Sequence, residues 1–351
     1  MSRLALGLLL AATLLSAGCA ADPVDEGGES SEDAIKAKAD DEWFYVGPLP
    51  TLKDAKVTVS LAANTAHVVG FLPAGAAALP PLPHVKTRSE NGRTRVDIVY
   101  PIATAAPPKT NSRPGTYSFV QAKPYRPDGN AFTVSAGNHF VTWGGFPFIE
   151  YNSGIAFHGP ITSQDSKDGG QSVWYLRRGD VSSGCNRMLG ENVVELAHVL
   201  GLSMRKLYGR NQSIPNPSSA KVTVIEDYDT LDGKFIDSDY ATDVGVTRPG
   251  KARGDANVVM FGSWVASEMP NGKDLPPDQK WEGGVNGKPY VFAEHALSGM
   301  VCSYAAGDLA NLKKLAASFP NAELPRSICE KKACIVDALR AGKDARATCA
   351  L

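Results

Sequence analysis

The stretch Asn91-Gly92-Arg93-Thr94-Arg95-Val96-Asp97-Ile98-Val99-Tyr100 opens on a turn signal and runs on as an alternation. Val96, Ile98 and Tyr100 fall on one face of an extended chain and Arg95, Asp97 and Val99 on the other, which is the period-two pattern of a strand rather than a helix. The same pattern recurs at Lys56-Val57-Thr58-Val59-Ser60-Leu61 and at Ala131-Phe132-Thr133-Val134-Ser135, with further turn signals at Asp128-Gly129 and Gly144-Gly145. Pro- and Ala-rich stretches at 73–83 and 104–114 read as loops. Residues 54–158 are therefore expected to be mostly antiparallel strand, a β sandwich or barrel. A helix follows: in Glu191–Leu200, Val193, Val194, Leu196, Ala197 and Leu200 lie on one stripe. A strand at Ala220–Ile225 is expected to close this domain. From 227 onward the chain is rich in Asp, Gly and Pro, with helices expected at Gly307–Ser318, capped by Asp308, and at Cys334–Arg340. Residues 227–351 read as a small mixed α/β module.

Composition excludes several classes. In 351 residues, 36 Lys+Arg against 37 Asp+Glu give a net charge of −1, with 43% hydrophobic and 21% charged residues. Such a chain is neither disordered nor a strongly basic nucleic-acid binder. The charge is unevenly distributed. Ala20–Glu42 holds nine acidic residues and two lysines with almost no large apolar side chain, a net −7, and with Arg3 set aside residues 43–351 carry +5. A segment of that composition cannot bury enough apolar surface to offset its ordering entropy, so residues 19–42 are expected to be a solvated tether.

Ahead of it, Arg3, the apolar run Leu4–Leu15 and Ser16-Ala17-Gly18-Cys19 have the layout of a secretory signal over residues 1–18. Cysteine after Ala-Gly resembles a bacterial lipobox, which implies that Cys19 is acylated and anchors the chain to a membrane. Ala20 rather than Asp after that cysteine points to the outer membrane, with the body facing the periplasm or cell wall.

With Cys19 lipidated, five cysteines remain. Cys302, Cys329, Cys334 and Cys349 fall in the last fifty residues and are disulfide candidates in an oxidising compartment, with three pairings open. Cys329 and Cys334 lack the second pair that a zinc site needs, so neither metal nor cofactor is expected. Cys185 stands apart.

An isolated cysteine beside Gly184 in an exported protein is a nucleophile if a base reaches it. His158 ends the short alternation Ile155-Ala156-Phe157-His158, with Ala156 and His158 on the face opposite Ile155 and Phe157 and turned from the core. Cys185 is expected just before a helix, where amide donors and the helix dipole favour a thiolate. His67, His84, His139, His198 and His295 show no ligand spacing and read as surface or half-buried, and Trp143 and Trp174 as core packing that flanks the site in sequence.

On these residues a resemblance appears. His158-Gly159 followed by Ser182-Ser183-Gly184-Cys185-Asn186-Arg187-Met188 resembles the signature of the L,D-transpeptidase (YkuD-like) family, His-Gly … Ser-His-Gly-Cys-x-Arg-Met. Arg113-Pro114-Gly115-Thr116-Tyr117 is similar to the family's Pro-Thr-Gly-Thr-Phe strand entry, and Phe146-Pro147-Phe148-Ile149 to its Met-Pro-Tyr-Trp segment. Two features depart from the pattern. Ser183 replaces the second histidine, and the 26 residues between His158 and Cys185 exceed the family's usual interval, implying an inserted loop near Ser163–Gln171 at the site's mouth.

The resemblance implies an L,D-transpeptidase-like catalytic domain over 43–226, with 227–351 a separate module. It implies a Cys185 nucleophile, His158 as base, Gly184 and Cys185 amides as oxyanion donors, and Ser182 and Ser183 carbonyls holding the imidazole. Arg187 would sit on a substrate carboxylate. The partner would be peptidoglycan, with carbapenems as inhibitors and no nucleic acid. Alternatives are an L,D-carboxypeptidase or D-amino-acid exchange enzyme, and a non-catalytic cell-wall-binding lipoprotein. A papain-like protease is disfavoured because there the cysteine precedes the histidine.

Overall fold

A computed structural model describes residues 45, 47–105, 113–123, 147–159, 175–209, 213–236, 244–249, 258–263, 300–319, 325 and 327–351. The signal, Cys19 and the tether lie outside these, as do Ala131–Ser135, the turns at 128–129 and 144–145, the loop at 163–171, His139, His295, Trp143 and Trp174.

The quoted alternation is one arm of a hairpin. β3 (Val85–Glu90) and β4 (Arg93–Pro101) pair antiparallel with Glu90 opposite Arg93. Asn91 and Gly92 form the two-residue turn at φ 50° and 75°. Both values lie in the left-handed region, which Asn and Gly reach at low cost, and such a turn matches the twist of the flanking strands. Val96, Ile98 and Tyr100 are fully buried.

Around this hairpin a six-stranded sheet runs in the order β3-β4-β2-β1-β13-β6, where β1 is Lys53–Ser60, β2 Thr65–Phe71, β6 Gly115–Ser118 and β13 Lys221–Ile225. All its pairs are antiparallel except β1 with β13, in register from Lys56 with Lys221 to Ser60 with Ile225. The strand expected to close the domain thus lies inside the sheet.

A nine-stranded sheet follows the order β12-β7-β8-β9-β11-β5-β10-β17-β18. Its strands are β5 (Ala103–Ala105), β7 (Gln121–Lys123), β8 (Phe148–Asn152), β9 (Ile155–His158), β10 (Tyr175–Ser182), β11 (Asn186–Arg187), β12 (Ile214–Pro215), β17 (Val258–Ser263) and β18 (Met300–Ala305). Thr104 and Ala105, expected in a loop, belong to β5, because the sheet needs a partner between β10 and β11 and small residues fit there. Neither sheet closes on itself among the described residues, so the architecture is β-rich with mixed sheets and the barrel alternative falls away.

Helix α1 (Gly190–Val199) joins both sheets in one core, where Val193, Val194 and Leu196 cluster with Val57, Val68 and Ile98 from the first sheet and Ile149, Tyr151 and Phe157 from the second. The expected amphipathic stripe is only part of the picture, since Glu191, Asn192 and Glu195 are buried as well. Glu195 is fully enclosed: Oε1 lies 2.7 Å from His84 Nε2 and accepts from Tyr100 OH at 2.9 Å, while Oε2 accepts from Tyr45 OH at 3.1 Å. A buried carboxylate is tolerated when its lone pairs are satisfied in this way. Burial and the neighbouring carboxylate push both tyrosine hydroxyls far above their ordinary pKa.

His67 is buried too, between Asp97 Oδ1 at 3.1 Å and Asp229 Oδ2 at 2.8 Å. His67 and His84 are therefore not the surface or half-buried residues their spacing suggests, because carboxylates distant in sequence satisfy them inside the protein. His198 is half-buried and stacks on Tyr45.

Residues 228–236 pack on the first sheet, with Leu231 and Ile236 against Val99 and Tyr228 against Ala62 and Ala63. A three-stranded sheet of β14 (Thr230–Leu231), β15 (Lys234–Ile236) and β16 (Val244–Gly245) forms here. Further on, past helix α2 (Met204–Gly209), β18 pairs with β17, and helices α3 (Leu309–Ala317), α4 (Ser327–Glu330), α5 (Lys332–Arg340) and α6 (Ala345–Thr348) build a second small core around Tyr304, Leu312, Ile328 and Ile335. Asp308 makes no side-chain cap to α3. A 3-10 turn at Ala306–Asp308 already leads into that helix, and the carboxylate faces Arg340 at 3.7 Å. Two disulfides, Cys302–Cys329 and Cys334–Cys349, staple this part and choose one of the three open pairings.

Candidate functional site

The strand pair β9–β11 builds the site. It is parallel, with Asn186 opposite Phe157 and Arg187 opposite His158, and the Met188 N–H donates to His158 O at 2.9 Å just beyond. Residues in register on parallel strands share a face, so Arg187 lies on the His158 side and Asn186 on the Phe157 side. Cys185 immediately precedes β11. The register thus sets His158 beside Arg187, two residues along the chain from Cys185.

The second neighbour of β11 fixes its place. Ala103 on β5 pairs with Arg187, and β5 is locked to β10 by a buried trio in which Asn64 Nδ2 donates to Thr104 Oγ1 at 2.8 Å and Asp180 Oδ1 at 3.0 Å, and Thr104 Oγ1 donates to the same Asp180 oxygen at 2.8 Å. Arg178 on β10 donates to Ala63 O at 2.7 Å and Asn64 O at 3.3 Å, tying the trio to the first sheet.

The imidazole of His158 is buried, stacked on Phe148 with ring centroids 5.9 Å apart. Its Nδ1 lies 2.6 Å from Gly159 O. A carbonyl only accepts, so Nδ1 carries the proton and, in the neutral ring, Nε2 carries the lone pair. Gly159, the residue next in sequence, thus supplies a carbonyl to the ring. All four residues of β9 are buried, so the His158 face is not turned out of the core: β8 and β11 flank the strand within the sheet and α1 packs against it.

Cys185 is half-buried and outside both disulfides. It is followed by β11, and α1 starts only at Gly190. The thiol is therefore not carried on the helix's first turn, within which a dipole effect is felt. Its Sγ instead lies 3.5 Å from Gly154 O, in the β8–β9 turn. Ser182 is buried and its Oγ accepts from Gly184 N at 3.0 Å, so one of the two expected oxyanion donors is already engaged. Ser183 is exposed at the bend, and Arg187 is 7% exposed beside His158.

Two neighbours carry no local sequence signal. Tyr151 on β8 is buried and its hydroxyl accepts from Asn186 Nδ2 at 2.7 Å. Burial pushes that hydroxyl's pKa up. Glu150, 8% exposed, accepts from Gly154 N at 2.9 Å and from Gln121 Nε2 at 2.7 Å. Nothing in the alternation of β8 distinguishes these two from ordinary strand residues. Among the described residues no three His, Cys, Asp or Glu side chains gather as a metal site, and no helix is long and apolar enough to cross a membrane.

No family model and no curated protein matches the chain. Among solved structures it is similar to the crystal structure of a fused Zn-dependent amidase/peptidase/peptidoglycan-binding domain-containing protein from Clostridium acetobutylicum, at 11% identity over 56% of this chain and 58% of that one, with a TM-score of 0.24. The chain thus matches under two thirds of that protein's length. A likeness of this size fixes neither fold nor activity.

Proposed function

We propose that this protein is a cysteine-dependent L,D-transpeptidase acting on peptidoglycan stem peptides, with residues 43–226 as the catalytic unit and Cys19 as a lipid anchor that holds it at the cell envelope. What supports the reading is the β9–β11 register, which pairs Asn186 and Arg187, the residues directly after Cys185, with Phe157 and His158, so that the two motifs meet in one strand pair.

In the proposed reaction His158 Nε2 takes the Cys185 thiol proton as sulfur attacks the carbonyl that links diaminopimelate to a terminal D-Ala. The oxyanion is met by the Cys185 amide, the Gly184 amide being held by Ser182. The C–N bond breaks, D-Ala leaves with the proton from His158, and a thioester remains. A second diaminopimelate amine then attacks, giving up a proton to His158, which returns it to sulfur as the C–S bond breaks. The product is a 3→3 cross-link. Arg187 binds a substrate carboxylate through its planar fork. Attack by water or by a D-amino acid on the same thioester gives the carboxypeptidase or exchange reaction.

Intact-protein mass after carbapenem treatment tests the reading, together with D-Ala release from tetrapeptide stems. The expected results are one covalent adduct on Cys185 and released D-Ala, both lost in Cys185→Ala. Equal behaviour of the two proteins overturns the reading.

A further inference from the structure

The turn that meets the thiol is itself held from below. β8 and β9 form a tight hairpin in which Asn152 pairs with Ile155 across Ser153-Gly154, with a register shift between Glu150 and Asn152. Gly154 has φ 86°, where a side chain is strained. Its N–H points at Glu150 Oε1 and its carbonyl at Cys185 Sγ. Glu150 is anchored at both ends: Oε2 accepts from Gln121 on β7, and its backbone carbonyl accepts from Val120 N at 2.8 Å. A nearly buried carboxylate therefore acts on the nucleophile through a single glycine.

The chemistry of that contact is one-directional. A carbonyl oxygen has no proton to give, so the 3.5 Å contact is favourable only while sulfur keeps its hydrogen. Once sulfur is a thiolate, the same oxygen faces it lone pair to lone pair. A hydrogen bond to the neutral form favours the neutral form. We infer that Glu150 is a positioning residue for the nucleophile: it holds the Gly154 carbonyl against Cys185, so that in the resting protein the thiol is parked in its protonated form and attack requires it to leave that carbonyl.

The inference deepens the proposed reaction by adding a step that precedes it, and it rests on that reading only for the purpose of the thiol. Another titratable group that acts on the sulfur is Tyr151 on β8. It is left in place when Glu150 is changed.

The test is alkylation of the full chain by iodoacetamide across pH 5–10, with Cys185→Ala as the blank. This readout needs no cell-wall substrate, so it stands or falls apart from carbapenem acylation. In Glu150→Ala the turn loses its anchor, and the alkylation profile moves to lower pH, with the rate near pH 7 rising roughly three- to tenfold. Glu150→Gln, whose amide oxygen still accepts from Gly154, stays near wild type. A Glu150→Ala profile that superimposes on wild type overturns the inference, as does one that moves to higher pH. The wild-type protein supplies a measurement that no folding defect affects. Infrared difference spectra against Cys185→Ala show an S–H stretch at neutral pH if the thiol is parked, and its absence also overturns the inference.

Discussion

The two large sheets each bury a histidine, and they hold it in different ways. In the six-stranded sheet His67 lies between two carboxylates, one on each ring nitrogen. In the nine-stranded sheet His158 faces a neutral carbonyl through Nδ1. Two carboxylates favour a proton on both nitrogens. Burial alone would lower the His67 pKa, but the bonds to Asp229 and Asp97 outweigh it and raise the value above its ordinary 6.5. One carbonyl requires only one proton and fixes which nitrogen carries it. The first arrangement favours the charged imidazolium, and the second leaves Nε2 with the lone pair that the proposed reaction uses. The difference lies in the partners, since the two imidazoles are chemically the same.

The largest effect should come from the base. His158→Gln is expected to slow carbapenem acylation and D-Ala release by roughly 100- to 10,000-fold while leaving the urea midpoint near that of wild type. A large loss of stability instead would make His158 a second His67. Next comes the third buried histidine, His84, whose partner Glu195 also serves two tyrosines. Glu195→Ala strands these groups in the core and should cost about 3–5 kcal/mol in urea unfolding.

Breaking the clamp on His67 is a smaller change. Asp229→Asn should cost about 1–3 kcal/mol near pH 6, as measured by denaturant unfolding. The sign with pH follows from the raised His67 value: its contribution is complete below about pH 6.5 and is lost as pH rises through the higher folded-state value. The gap between wild type and Asp229→Asn should therefore narrow on going alkaline. Asp97 sets the acid limit. Burial works to raise its pKa, but bonds to His67 and Arg95 together hold it below the usual carboxylate value. Its share is present above about pH 3.9 and is lost on further acidification. The smallest effect is local, with Gly92→Ala at φ 75° expected to cost about 1 kcal/mol in the same assay.

What could be read in the sequence was short-range. The alternation at Thr94–Tyr100 lies within β4, the turn signal at Asn91-Gly92 is the β3–β4 turn, and the helix expected over Glu191–Leu200 matches α1 to within one residue. In each case the signal and the structure it specifies lie within about ten residues. What escaped was long-range. His67 and His84 read as bland because Asp229 and Glu195 lie 162 and 111 positions away, and a pattern of neighbours cannot show a partner at that distance. At the site, the motif order marked Cys185 and His158, but the Gly159 carbonyl, Glu150 and Tyr151 became visible only once β8, β9 and β11 were side by side. Cys185, expected just before a helix, stands five residues ahead of α1, because Asn186 and Arg187 are taken up as a strand between β9 and β5.

The parallel pairing of β1 with β13 has a consequence for the order in which the protein can be made. β1 ends at Ser60, and the strand on its far side starts only at Lys221. As the chain emerges residue by residue, β1 to β4 can assemble early, but one side of β1 waits unpaired through some 160 residues of synthesis. Bridging so long a loop is slow, and an open strand edge invites wrong partners meanwhile. The core around Val57 and Val59 is completed only when Val222 and Val224 arrive, so the first strand laid down is among the last to be finished.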